Sequence, residues 1–98
     1  MTVIHIQPDA YADIENAAGW YEERRGGLGI AFVLEFDAAL FRVSENPEAY
    51  AQQFGSVRRV LMRRFPFAIY YEFSPTIVEV FAVLHQHQEP TAWTSRLS

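Results

Sequence analysis

The stretch that decides the fold is residues 56–85, SVRRVLMRRFPFAIYYEFSPTIVEVFAVLH, in which two turn signals separate three runs rich in apolar residues. The runs carry many β-branched and aromatic residues, which suit strands, and they cover residues 56–62, 67–73 and 76–85. The last run is apolar enough to be a central strand. Because residues 63–66 and 74–75 leave room only for short turns, the pattern predicts an antiparallel meander.

Two helices are predicted upstream of these strands, after a short strand over residues 1–6. Pro8 and Asp9 suit the first turn of a helix, and apolar residues then recur at spacings of three and four from Tyr11 to Tyr21, along a helix that ends near Arg25. Gly26-Gly27 ends this helix, and Asn46-Pro47 ends a second one over residues 28–44. The predicted fold is therefore a single α+β domain over residues 1–98, β-α-α-β-β-β, with a helical hairpin packed on a small antiparallel sheet.

The second helix is unusually apolar, which predicts burial over much of its circumference. Its apolar stripe is expected to comprise Ile30, Val33, Leu34, Leu40 and Phe41, with Phe32 and Phe36 widening it.

Composition and charge narrow the classes of function. The chain has 98 residues and no cysteine, which excludes disulfides and thiol chemistry. Residues 1–54 carry nine acids and three arginines, whereas residues 55–98 carry three acids and five arginines, so the net charges are −6 and +2. This balance is unlike that of a uniformly basic nucleic-acid binder. No apolar run approaches the length of a membrane span, so we expect a cytoplasmic protein with no membrane partner. No cofactor is expected either.

Several segments together resemble the RelE/ParE superfamily of toxins from type II toxin–antitoxin systems, on the side of the ParE-like plasmid stabilization proteins. The resemblance rests on a helical hairpin around Trp20-Tyr21 and Gly27-Leu28-Gly29, the helix stop at Asn46-Pro47-Glu48, a central hairpin at 58–72, and the end of the chain with His85, Pro90 and Trp93. It covers nearly the whole chain. It implies a toxin that a cognate antitoxin, encoded beside it, neutralises.

The superfamily divides in mechanism, so the resemblance implies an enzymatic and a non-enzymatic alternative. RelE-like members cut messenger RNA on the ribosome, and ParE-like members poison DNA gyrase. Metal-independent RNA cleavage needs an acid, a base and a cation around one phosphate. The candidate acid or base is His85, and the candidate stacking platform is Tyr70 or Tyr71. The candidate phosphate clamps are Arg58, Arg59, Arg63 and Arg64.

Two features count against the nuclease: the chain is acidic, with a net charge of −4, whereas a nuclease on the ribosome needs broad attraction to RNA, and one cation of the family's site is missing. The family commonly has an arginine three residues after this histidine, but here that position is Gln88. Arg58 and Arg59 point to opposite faces of a strand, and the one on the helix side is expected to pair with an acid of the helical hairpin. His85 and His87 share one face but lack an evident third ligand, so no metal site is predicted.

A partner-binding surface is predicted around the first turn of the meander and on the sheet edge, where a strand or an amphipathic helix from another chain could add. The candidate residues are Arg63, Arg64, Phe65, Phe67 and Trp93, with Phe73 as further apolar surface. Trp93 is also expected to pin the end of the chain to the core.

The favoured function is a toxin that binds a protein target such as gyrase. The alternatives are a ribosome-dependent endoribonuclease and a non-toxic binding domain that kept the fold, so enzymatic activity stays open.

Overall fold

The helices and strands follow the predicted order, with one additional strand. The computed structural model describes residues 2–88 and Arg96. Its helices are α1 (Pro8–Arg24) and α2 (Leu28–Glu45), and a 3₁₀ turn, Pro47–Ala49, follows α2. The strands are β1 (Val3–Ile6), β2 (Gln52–Phe54), β3 (Val57–Leu61), β4 (Phe67–Phe73) and β5 (Ile77–His85). Within the described residues no helix is long and apolar enough to cross a membrane.

The strands form one sheet of five in the order β1-β5-β4-β3-β2. The predicted α+β class and the antiparallel meander β3-β4-β5 are confirmed. The sheet is mixed rather than wholly antiparallel, because the helical hairpin carries the chain back so that β1 pairs with β5 in parallel. Strand β2 was not predicted, because its three residues are too few and too polar to give a strand pattern. Gly55, at φ 56°, makes the tight turn from β2 to β3.

Both helices pack on one face of the sheet, and the core lies between the helices and this face. Apolar residues of α1 and α2 meet alternate residues of β3, β4 and β5, including Val60, Ile69 and Tyr71. The rings of Tyr21, Phe32, Phe65 and Phe67 pack together, with centroids 4.7–6.1 Å apart. This aromatic cluster joins the hairpin to the β3–β4 turn, so the arginine-rich turn is fixed in place by its own phenylalanines.

The turn between α1 and α2 is held by one carboxylate. Glu22 Oε1 accepts hydrogen bonds from the backbone N–H groups of Gly27 (3.1 Å) and Gly29 (3.0 Å), which start α2 and have no partner within the helix. Gly27 has a φ of 94°, a conformation that suits glycine. A Cβ on Gly29 would lie 2.9 Å from the carbonyl oxygen of Ala18, so the two helices approach closely at this point.

The face that α2 buries differs from the predicted one. The buried residues are Gly29, Phe32, Phe36, Ala39, Leu40 and Val43, whereas Ile30, Val33, Leu34 and Phe41 are exposed. The expected burial over much of the circumference was therefore wrong. The buried side of α2 faces α1 and the helix-side core, and Gly29 lets the two helices approach closely.

Candidate functional site

Arg58 and Arg59 lie on opposite faces of β3, as the alternation of a strand predicts. Arg58 pairs with Tyr71, which belongs to the helix-side core, whereas Arg59 pairs with Tyr70, which belongs to the apolar cluster on the other face. Arg58 Nη1 donates to the carbonyl oxygens of Tyr50 (2.6 Å) and Glu48 (3.1 Å). The expected pairing with an acid of the hairpin is wrong, because the 3₁₀ turn brings backbone carbonyls to this guanidinium first.

His85 lies at the far end of the sheet from Arg58. On β4, Phe67 pairs with His85 of the neighbouring strand β5, and Tyr71 pairs with Arg58 of the strand on the other side, β3. Four residue steps along β4 separate the two positions, or about 13 Å. The Nδ1 atom of His85 accepts a hydrogen bond from the backbone N–H of His87 at 3.2 Å. In the part of the chain that the structure describes, no hydrogen bond or ion pair joins His85 to an arginine.

Tyr71 is enclosed in the core, where its ring cannot stack on a base. The residue is 0% exposed, and its hydroxyl donates to the carbonyl oxygen of Pro47 at 2.6 Å. Burial raises the pKa of Tyr71 to about 12, although the positive charge of Arg58 acts in the opposite direction. Tyr70 is also buried, at 5% exposed. Both tyrosines act as packing residues, since Tyr71 is buried in the helix-side core and Tyr70 in the apolar cluster of the opposite face.

Replacing Tyr71 with phenylalanine should lower the free energy of unfolding by about 1 kcal/mol at pH 7, because the bond to Pro47 is lost. In the wild type the raised pKa stabilises the fold fully below pH 10, and this contribution disappears as the pH rises from 10 through about 12. Urea unfolding at pH 8, 10 and 11.5 should therefore show the wild type losing its advantage in stability over Tyr71→Phe as the pH rises. Tyr11→Phe, on an exposed ring, should change stability at pH 7 by less than about 0.5 kcal/mol. A gap that widens with pH would contradict the assignment.

The predicted partner-binding residues divide between core and surface. Phe65 is buried, and Phe67 and Phe73 are half-buried, so these rings add little exposed apolar surface to the predicted partner-binding region. Arg63 and Arg64 are exposed. Trp93, and Pro90 with it, lie outside the described residues.

Arg63 lines a surface hollow together with two other arginines. A hollow of about 460 Å³ beside the outer edge of β3 is lined by Arg42, Arg59 and Arg63, together with Tyr50 and Gln53. Sequence reasoning missed Arg42, because its position in the last turn of α2 gives no sign that it faces β3. The guanidinium of Arg64 lies 5.9 Å from the ring centroid of Phe65.

The edge strands β1 and β2 are shorter than the strands they pair with. Beyond their ends, side chains cap the exposed backbone of β5 and β3. Past the end of β2, Arg42 Nη2 donates to the carbonyl oxygen of Leu61 (3.0 Å), and Glu35 accepts from the backbone N–H of Arg63 (3.2 Å). Past the end of β1, Asp13 accepts from the backbone N–H of Val83 at 2.9 Å. A partner that adds a strand at these places would have to displace these side chains.

Arg96 contributes with Asp13 to the cap on β5. Its Nη1 donates to Asp13 Oδ2 (2.7 Å) and to the carbonyl oxygen of Phe81 (3.1 Å), at the bulge where the β4–β5 register shifts. The hydrogen bond to Asp13 raises the pKa of Arg96 above its usual value. Arg96 therefore links the end of the chain to α1 and β5, a role that the sequence had suggested for Trp93.

These features define an α+β domain with a helical hairpin on a mixed sheet, side-chain caps beyond the short edge strands and exposed apolar surface on one helix. Comparison with known proteins identifies the group to which it belongs. Residues 4–90 match the family described as the ParE toxin of the type II toxin–antitoxin system parDE. The chain belongs to the ParE toxin family, and it is a ParE-type toxin of a type II toxin–antitoxin system.

The solved structures agree with this assignment at the level of the fold. A structure of the chromosomal ParDE toxin–antitoxin system from P. aeruginosa superposes with a TM-score of 0.76 over 87% of this chain and 96% of that chain. The sequences are 15% identical, so this likeness concerns the fold alone. No curated protein sequence matches the chain.

Proposed function

We propose that this chain acts as one domain in the cytoplasm and arrests growth by binding a protein target, with DNA gyrase as the first candidate. We also propose that a cognate antitoxin neutralises it. Membership of the ParE family supports both statements, and the similar P. aeruginosa structure is of a ParDE system.

The observation that carries the choice of a protein target is the separation of His85 from Arg58 and Arg59. Cleavage of RNA without a metal needs an acid, a base and a cation within hydrogen-bond reach of one phosphate. Here His85 and Arg58 lie about 13 Å apart along β4, Arg59 faces the other side of the sheet, and Tyr71 is buried. This arrangement favours inhibition by binding over a catalysed reaction.

Charge supports the same choice. A nuclease that works on the ribosome needs broad attraction to RNA, which arginines and lysines supply. This chain has a net charge of −4, and its hairpin, residues 8–45, carries eight acids against three arginines, a net charge of −5. The position where the family commonly has an arginine near the histidine is Gln88.

The test is inducible expression of the chain alone in bacteria, as wild type and as His85→Ala, with His87→Ala as the matched control. We expect growth arrest by all three proteins, with intact messenger RNA and altered supercoiling of a reporter plasmid. The reason is that a protein-binding toxin does not need the imidazole of His85. Cut messages in the wild type that disappear in His85→Ala would establish the endoribonuclease instead. Harmless expression of the wild type would leave a non-toxic binding domain.

A further inference from the structure

The hollow beside the outer edge of β3 gathers positive charge from three elements of the fold. It measures about 460 Å³ and is lined by Arg42, Arg59 and Arg63, and we call it the arginine hollow. These residues lie in the last turn of α2, on β3 and in the turn between β3 and β4. No aspartate or glutamate stands among the described residues that line the hollow. Three like charges placed around one space repel one another, and an anion that enters the space relieves this repulsion.

The guanidinium groups of the arginine hollow are largely unused by the fold. Arg42 Nη2 donates to the carbonyl oxygen of Leu61 at 3.0 Å, which fixes this guanidinium beside the end of β3. Within the part of the chain that the structure describes, the side chains of Arg59 and Arg63 donate to no other group. A guanidinium presents its N–H groups as a planar fork that matches a carboxylate with two parallel hydrogen bonds. The forks of Arg59 and Arg63 are therefore open to an anionic ligand.

The fold holds the arginine hollow in one shape. Glu35 accepts a hydrogen bond from the backbone N–H of Arg63 at 3.2 Å, and this bond ties the β3–β4 turn to α2. In the same turn Phe65 is buried, and its ring lies 5.2 Å from the ring of Phe32. A surface that is already ordered loses little entropy when a partner docks, so more of the contact energy appears as affinity. The arginine hollow is thus suited to recognition of a partner.

The charge around the arginine hollow selects the kind of anion that fits. The helical hairpin, residues 8–45, carries a net charge of −5, and the whole chain carries −4. A nucleic acid is a polyanion, and its successive phosphates would meet this acidic surface as well as the three arginines. A protein segment brings a few carboxylates to the arginines and turns uncharged groups toward the rest of the surface. The charge distribution therefore favours acidic side chains of a protein over a nucleic-acid backbone.

The other residues that line the arginine hollow also suit a protein partner. Tyr50 is half-buried, Gln53 is exposed, and Leu61 is 44% exposed. An aromatic ring, an amide and apolar surface therefore lie next to the guanidinium groups. Tyrosine and arginine are enriched at the centres of protein interfaces, where a few residues carry most of the binding energy.

We propose that the arginine hollow binds an acidic segment of the toxin's protein target, with carboxylates of that segment paired to Arg59 and Arg63. This inference rests on the proposed inhibition of a protein target, and it names the surface and the chemistry that recognise the target. Arg42 adds positive charge and, through its bond to Leu61, shapes the wall of the hollow.

The test compares Arg63→Glu with Arg64→Glu in the full chain. Both substitutions replace an exposed arginine of the same turn and reverse one charge, but Arg64 does not line the hollow. Binding to purified DNA gyrase is measured by titration, and growth arrest after induction gives a readout that holds for any target. Arg59→Glu and Arg63→Glu should each weaken binding by about thirty-fold or more and lose growth arrest, as expected for central contacts of an interface. Arg64→Glu should weaken binding by less than about threefold.

Arg59→Lys separates the shape of the guanidinium from its charge. Lysine keeps the positive charge but cannot form two parallel hydrogen bonds to one carboxylate, so binding should weaken by about tenfold, the loss of one hydrogen bond to a charged group. Thermal unfolding separates binding from folding. None of the three arginines is buried, so each variant should melt within a few degrees of the wild type.

Growth arrest by Arg63→Glu equal to that of the wild type would overturn the arginine hollow as the target site, although the proposed function would stand. Equal losses in Arg63→Glu and Arg64→Glu would reveal a general effect of charge and would overturn it as well. Binding of the wild type to a short DNA duplex or RNA strand alone, abolished by Arg63→Glu, would assign the hollow to phosphates instead. A wild type that does not arrest growth would remove the proposed function and this inference with it.

Discussion

Replacing Phe32 with alanine should lower the free energy of unfolding by about 3–5 kcal/mol, the range found when a buried phenylalanine is truncated in a core. The side chain of Phe32 is 0% exposed, and its ring lies 5.2 Å from those of both Phe65 and Phe67. These contacts tie α2 to the turn between β3 and β4. The cavity left by the ring would therefore weaken the junction of the two layers as well as the local packing.

Phe41 supplies the matched control in the same helix. It is 64% exposed, so Phe41→Ala should change the free energy of unfolding by less than about 0.5 kcal/mol. Urea unfolding followed by circular dichroism measures both variants. Equal losses of stability in the two proteins would mean that the two faces of α2 are equally buried, and would contradict the packing of this helix on the sheet.

Gly29→Ala should lower stability by about 1–3 kcal/mol, although alanine is the better helix former. The added Cβ would lie 2.9 Å from the backbone oxygen of Ala18 and 3.0 Å from Glu22 Oε1. The backbone cannot yield without separating the helices, and movement of the carboxylate would weaken the cap on α2.

Gly19→Ala isolates this steric effect from helix propensity. Gly19 lies within α1, and a methyl group added there would have no neighbouring atom within 4 Å, so alanine should raise stability by about 0.5–1 kcal/mol. The two substitutions are chemically identical and should shift the melting temperature in opposite directions. A stabilising effect of both would show that α1 and α2 do not approach each other closely at Gly29.

The sequence predicted the meander well, because its strands combine strong β propensity with short turns. It failed at the orientation of α2. In LGIAFVLEFDAALFRVSE apolar residues occur on nearly every side, so periodicity does not select one face. The structure selects the face that contains Gly29, where α2 closely approaches α1, and Ala39, which is buried in the core. The large residues on the other side then become surface, although residue type alone would have assigned them to the core.

The candidate site was only partly predictable for a related reason. Alternation along β3 correctly separated Arg58 from Arg59. The partners of Arg58 are backbone carbonyls in and beside a 3₁₀ turn, and these carry no signal in residue type. The separation of His85 from Arg58 depends on the strand register, which a bulge in β5 shifts by one residue. Arg42 enters the arginine-lined hollow only because α2 ends beside β3.

Binding to a protein target, first of all gyrase, without catalysis by His85 is the action that we propose for this ParE-type toxin. It can be measured as ATP-dependent supercoiling of a relaxed plasmid by purified gyrase, with increasing amounts of the purified wild type or His85→Ala. We expect both proteins to inhibit supercoiling at similar concentrations, and the antitoxin to restore it. Unchanged supercoiling, at concentrations of the wild type that arrest growth in cells, would contradict gyrase as the target.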